Sequence, residues 1–239
     1  MKCISLFLLL FVGGCATIQV PSAYTYREIK TPGFTLAAWV KDTDTKASFH
    51  VYLEGDGRAY TNSGFPSHDP TPKSGLMRQK AFKDSAPNVA YLARPCQFVK
   101  DSMCTQKDWT TSRFSPQIVA SVATALMQIV GDRPVELYAY SGGALLSGLV
   151  IANYPEIKVT QWTTYAGLLN HSSWTAYKHL APLRGSLDLQ QLPNVPQTHY
   201  VGGKDKVVPL KLSVLWTGNK NLVIVPDSTH HGPFVSTTP

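Results

Sequence analysis

The chain has 239 residues, 44% of them hydrophobic, which is enough for one domain with a sizeable apolar core. Lys and Arg number 22 against 15 Asp and Glu, a formal charge of +7, but the basic residues are scattered and form no dense run or recognisable nucleic-acid motif. That pattern argues against a nucleic-acid partner and reads as solvated surface, favourable to anionic lipid headgroups or acidic substrates.

The chain begins with Met1-Lys2-Cys3, an apolar run from Ile4 to Val12 and the small pair Gly13-Gly14. A positive start, a short hydrophobic stretch and small residues at the cut are the layout of a secretory signal. The run is too short for a permanent membrane span. Val12-Gly13-Gly14-Cys15 resembles the lipobox of bacterial lipoproteins, which implies cleavage before Cys15 and acylation of Cys15 as a membrane anchor. An ordinary signal peptide with an incidental cysteine is the alternative. Ala16 stands where inner-membrane lipoproteins of enteric bacteria often carry Asp, which implies the outer membrane, with the protein facing the periplasm. The expected division is a lipoprotein-type signal over 1–14, a lipidated tether over 15–23 and one domain over 24–239.

Within that domain, Tyr24 to Ile29 and Phe34 to Lys41 alternate as two strands of a hairpin around Pro32-Gly33. Phe49 to Leu53 is a third strand ending at Glu54-Gly55-Asp56-Gly57, and a Pro-rich loop follows from Phe65 to Pro72. Leu76 to Lys83 reads as a short helix, Val89 to Ala93 as a strand, and Pro116 to Val130 as a helix capped by Ser115 with Pro at its first position. Val135 to Tyr140 is a strand that runs into Ser141-Gly142-Gly143 and then an apolar helix. Strands follow over Thr160 to Tyr165, Thr198 to Val201 and Leu222 to Val225, with a small cap over 168–192 that holds one helix near Ser173 to His179. Strands alternating with helices predict an α/β fold with a mostly parallel sheet flanked by helices.

Export also bears on the cysteines. Cys3 leaves with the signal and Cys15 takes the lipid, so Cys96 and Cys104 remain for an oxidising compartment and are expected to pair as a disulfide. The rival is a metal site, but no Cys or His pair of zinc spacing accompanies them, so no metal is expected.

The strand–turn–helix around Ser141 has the shape of a nucleophile elbow, whose sharp turn needs small neighbours; Ala139, Gly142 and Gly143 supply them. A serine hydroxyl needs a base, and the base needs a carboxylate to hold its tautomer. Asp205 follows the strand ending at Val201, and the adjacent His230 and His231 follow the strand ending at Val225. The spacing from Pro226 favours His230 as base, with His231 as the alternative. Two N–H donors are needed for an oxyanion. Gly142, next to the nucleophile, is one candidate, and Asp56 in the loop after the third strand is the other, with Gly57 as its alternative; Gly55-Asp56-Gly57 also fits a plain tight turn. Arg58, Asp69 and Arg113 either border the site or form ion pairs that fix loops, and His50 within its strand reads as structural.

The order Ser141, Asp205, His230, each after a strand, resembles the α/β-hydrolase superfamily, although Ala139 replaces the first glycine of G-x-S-x-G. Leu53-Glu54-Gly55-Asp56-Gly57-Arg58-Ala59, Asp69-Pro70-Thr71-Pro72, Ala93-Arg94-Pro95-Cys96-Gln97 with Cys104, Trp109-Thr110 and Arg113-Phe114, and Tyr140-Ser141-Gly142-Gly143 look like a group of bacterial lipoproteins classed with those hydrolases. The resemblance covers essentially the whole mature chain. It implies the α/β-hydrolase fold and a serine hydrolase site, but no substrate. With a small cap or none, no cofactor and a small-molecule or lipid-like acyl substrate, the expected reaction is acyl transfer to water from a carboxylic ester, with thioesters, amides or peptides as alternatives. The alternative is a hydrolase-like envelope lipoprotein without activity that serves as a binding or scaffold module.

Overall fold

The computed structural model describes residues 19–73 and 75–234. The expected signal and the anchor at Cys15 lie outside the described residues. Eight strands form one sheet: β1 Thr25–Lys30, β2 Thr35–Asp42, β3 Phe49–Leu53, β4 Asn88–Leu92, β5 Val135–Tyr140, β6 Val159–Tyr165, β7 Gln197–Gly202 and β8 Leu222–Val225. Their order across the sheet is β1-β2-β4-β3-β5-β6-β7-β8. β1 pairs antiparallel with β2, and β2 antiparallel with β4; from β4 to β8 every pairing is parallel. The helices are α1 Leu76–Lys83, α2 Gln106–Trp109, α3 Pro116–Val130, α4 Gly142–Asn153, α5 His171–Tyr177 and α6 Leu210–Thr217.

Period-two alternation sends each central strand to two cores. Phe49, Val51 and Leu53 of β3, with Ala90 and Leu92 of β4, pack with residues of α3 and α4 on one face. Tyr52, Val89 and Tyr91 pack with Met77 and Ala81 of α1 on the other. α3 starts where Ser115 Oγ accepts the Ile118 N–H at 3.3 Å and Pro116 occupies the position whose N–H would have no partner. α4 buries every residue from Gly142 to Ile151, because its apolar composition all round suits a helix enclosed by the sheet and the 168–192 segment. That segment holds α5 and little else regular, as expected for a small cap.

Several buried polar side chains of the sheet and α4 are partnered. Trp162 Nε1 donates to Ser147 Oγ at 2.8 Å, and His199 Nδ1 meets Thr164 Oγ1 at 2.8 Å. Burial pushes the His199 imidazole down to about 4, so it is neutral and structural. His50 lies 2.7 Å from Asp84 Oδ2, which also accepts the Tyr52 hydroxyl at 2.7 Å; the strand histidine is a structural one.

The observed strands depart from the expected ones at their ends, with β1 and β2 each set one residue later than read. α2 and α6 were not anticipated. α2 is a single turn held by reciprocal Thr105–Asp108 capping, and α6 is short, closed by Gly218 in the left-handed region at φ 57. α2 is too short to show helical periodicity, and α6 has Pro209 in place of a side-chain cap.

Cys96 and Cys104 are bonded, with Cα atoms 5.7 Å apart. The bond closes a nine-residue loop at the C-terminal end of β4. Replacing both cysteines by serine is expected to lower the free energy of unfolding by about 2–3 kcal/mol, the loop-closure value for a ring of this size. Urea denaturation of the exported protein measures it; an unchanged midpoint and slope would contradict the assignment of a stabilising role.

Candidate active site

Parallel strands end on one edge, and the loops that leave it carry the predicted residues. β5 delivers Ser141, which bridges strand and helix at φ 52 and ψ −124. A serine at positive φ is strained and persists only where its surroundings over-determine it. Here its N–H donates to Tyr165 O at 3.0 Å, and its carbonyl accepts from Ala144 at 3.0 Å and Leu168 at 2.9 Å. β7 leads to Asp205, which is buried, and β8 leads to His230, also buried.

These three side chains form one hydrogen-bonded chain. Ser141 Oγ lies 3.0 Å from His230 Nε2, and His230 Nδ1 lies 2.8 Å from Asp205 Oδ2. The other carboxylate oxygen of Asp205 accepts the N–H groups of Val207 at 2.7 Å and Val208 at 2.9 Å. Asp205 is thereby fixed, and it holds the imidazole with Nδ1 protonated and Nε2 free to accept from Ser141. His231 points elsewhere: it is exposed, and its Nδ1 meets the Tyr140 hydroxyl at 2.9 Å. The geometry therefore separates the two adjacent histidines that the sequence left open.

The loop after β3 packs against the elbow. A Cβ on Gly142 would strike the Asp56 carboxylate, so this side chain lies directly beside the residue that follows Ser141. Among the described residues, neither the Asp56 N–H nor the Gly142 N–H donates a hydrogen bond to a protein acceptor. Gly57, the alternative donor, is exposed at φ 62 with Pro70 O and Gln97 against it, a conformation that closes the turn.

Arg113, read from sequence as bordering the site or fixing a loop through an ion pair, and Arg94, given no role of its own there, lie together beside the elbow. Both are buried, and both face Asp56: Arg94 Nη1 pairs with Oδ1, and Arg113 Nη1 lies 3.3 Å from Oδ2. Burial alone would raise the Asp56 pKa, but the charges of Arg113 and Arg94 outweigh it and hold the carboxyl below its ordinary value. Arg94 Nη2 also donates to Arg113 O at 2.5 Å, and Gln97 Nε2 donates to Gly55 O at 3.1 Å. Arg94, just before the disulfide-closed loop, and Gln97 within it thus grip the side chain and backbone of the 55–56 loop. The remaining residues flagged from sequence have other roles: Asp69 caps a turn at Thr71 N with 2.9 Å, and Arg58 is exposed. No cluster of three or more His, Cys, Asp or Glu that could hold a metal ion occurs among the described residues.

No family model matches the chain, and no curated protein matches it. Solved structures do. A hydrolase described as putative from Agrobacterium vitis superimposes with a TM-score of 0.64 at 12% identity, covering 88% of this chain and 94% of the other. Est1E from Butyrivibrio proteoclasticus gives 0.58 at 13% identity, with 88% and 91% covered. A cold-adapted esterase from an Arctic intertidal metagenomic library gives 0.57 at 13%, with 89% and 88% covered. At such identities the likeness concerns architecture, and together with the sheet order it shows that the chain has the α/β-hydrolase fold.

Directly behind the site, Glu54 is 2% exposed. Burial pushes its carboxyl up to about 7, although the N–H groups of Gly55 and Met77, the Tyr91 hydroxyl and Arg78 act in the opposite sense. The unfolded chain releases this proton near the ordinary 4.5, so the stabilisation that neutral Glu54 provides is complete below that pH and is lost as pH rises through 7. Glu54→Gln, which stays neutral, is expected to flatten the stability profile between those limits and to exceed the wild type above pH 7 by up to about 3 kcal/mol. Urea denaturation across pH measures both; parallel profiles for the two proteins would contradict the assignment.

Proposed function

We propose that the protein is a serine hydrolase that cleaves ester-type acyl bonds through Ser141, His230 and Asp205. The observation that carries the proposal is the continuous chain from Ser141 Oγ through His230 to Asp205, set at a strained elbow on the C-terminal edge of the sheet. In this reading His230 Nε2 takes the Ser141 proton while Oγ bonds to the acyl carbon. The resulting tetrahedral oxyanion is held by the N–H groups of Gly142 and Asp56. Collapse expels the leaving alcohol, which receives the proton from His230, and an acyl-Ser141 remains. Water then attacks with His230 again as base, and the acid leaves. A carboxylate such as Asp56 beside an oxyanion would oppose it, but Arg94 and Arg113 make the local cluster positive.

The fold agrees with this reading, and a cold-adapted esterase stands among the structural neighbours, as does Est1E with ferulic acid bound. A binding module without activity would leave the strained Ser141 and its buried Asp205–His230 partners without a purpose.

The proposal extends to location. Acylation at Cys15 would fix the chain to the bacterial envelope, at the outer membrane and facing the periplasm. β1 runs in the same sense as the parallel strands, so its start at Thr25 lies on the edge opposite Ser141. A short tether leaving there turns the site away from the membrane toward small molecules in the surrounding space.

Ser141→Ala is expected to abolish both fluorophosphonate labelling and hydrolysis of short acyl esters. His230→Ala should lower kcat by roughly four to six orders of magnitude, and Asp205→Asn by about four. His231→Ala, which removes only the partner of Tyr140, should stay within about tenfold of wild type. Each variant is first checked for an unchanged melting transition. Wild-type hydrolysis by folded Ser141→Ala would overturn the reading.

A further inference from the structure

Arg113 is nearly closed off, with 4% of its side-chain surface exposed. Even so, none of its nitrogens donates a well-formed hydrogen bond to an acceptor among the described residues; the 3.3 Å approach of Nη1 to Asp56 Oδ2 is charge proximity alone. Nε is sealed from solvent without a partner among the described residues, and the 4% of the side chain that stays exposed leaves it a narrow opening to solvent. A buried guanidinium with its donors unused is costly, and a group from outside the chain that accepts from it removes that cost.

The surroundings say where the fork opens. On one side is Asp56, whose carboxylate lies against Gly142 and whose own ionisation responds to the charge of His230. On the other is Trp174, whose ring centre is 5.8 Å from the guanidinium carbon. Trp174 Nε1 donates to Val207 O at 2.7 Å, and the Val207 N–H binds Asp205. Arg113 therefore stands between the two loops that flank Ser141. The charge count is uneven: Arg94 and Arg113 face the single carboxylate of Asp56, which leaves one positive charge over.

We propose that Arg113 receives a carboxylate carried by the substrate, so that the Ser141 site selects singly charged acidic esters over neutral ones of the same size. One surplus charge matches one carboxylate, and two parallel N–H groups match its two oxygens. The neighbouring Trp174 and Phe114 rings keep the guanidinium out of bulk water, where the pairing would be screened. The proposal rests on the hydrolase reading for what happens next to the bound group, but the anion site itself does not.

Two pairs of esters test it: mono-4-nitrophenyl glutarate against 4-nitrophenyl butyrate, with the carboxylate on the acyl side, and 4-acetoxybenzoate against phenyl acetate, with it on the leaving group. The wild type is expected to favour the charged member of at least one pair in kcat/KM by about tenfold or more, and added salt should reduce that ratio. Arg113→Gln should bring the ratio to about one, and Arg113→Lys should keep part of it, with the Lys variant deciding the matter should the Gln variant fail to fold. Calorimetry with glutarate on Ser141→Ala, with and without Arg113→Gln, reads binding apart from turnover. Arg113-dependent glutarate binding by a protein that hydrolyses none of the esters would preserve the anion site and remove the hydrolase reading. Equal kcat/KM within both pairs, with no glutarate binding, would overturn the anion site and leave the hydrolase reading standing.

Discussion

The site depends on a close backbone contact between two loops. A Cβ on Gly143 would come within 2.5 Å of Glu54 O, and one on Gly55 would come within 3.1 Å of Tyr140 O. Each glycine lets the other loop's main chain approach, so the elbow after β5 and the loop after β3 interlock with no side chain between them. This contact sets Ser141, Gly142 and Asp56 relative to one another. It also explains why α4 can enter the core with two glycines at its start: the helix surrenders intrinsic propensity there, and burial of Ala144 to Ile151 offsets the loss.

Charge is arranged around that contact. Asp205 is held by two N–H groups and His230, and Asp56 by two guanidiniums. Glu54, without a close cation of that kind, remains protonated to about pH 7. Carboxylates faced by cations keep their charge under burial, whereas the hydrogen bonds from Gly55 and Tyr91 do not offset the burial of Glu54. The disulfide loop belongs to the same arrangement, because Arg94 and Gln97 that brace the 55–56 loop flank Cys96. The covalent closure at the end of β4 thus fixes the residues that fix the site.

Much of this was legible in the sequence. Apolar runs of four to eight residues gave the central strands, and β3, α1, α3 and β8 have the expected limits because Pro, Gly and Ser mark their ends. Ser141, Asp205 and His230 could be named because each follows a strand, and strand ends on one side of a parallel sheet converge. The choice between His230 and His231 needed coordinates, since adjacent residues point in different directions and only the partners, Ser141 for one and Tyr140 for the other, tell them apart. Arg113 reads from sequence as bordering the site or fixing a loop, but Arg94 was hidden for a different reason. Thirty-eight positions separate it from Asp56, and an arginine in sequence reads as surface unless its carboxylate partner is known.

The central claim is that Ser141 attacks an acyl carbon whose oxygen is received by Asp56 and Gly142. A crystal structure of the protein inactivated with diethyl 4-nitrophenyl phosphate tests it most directly, because the phosphoryl group imitates the tetrahedral intermediate. The account predicts a phosphorus bonded to Ser141 Oγ, with its free oxygen about 2.7–3.1 Å from the main-chain nitrogens of Asp56 and Gly142. An adduct on another residue, or a phosphoryl oxygen turned away from both nitrogens, would contradict it.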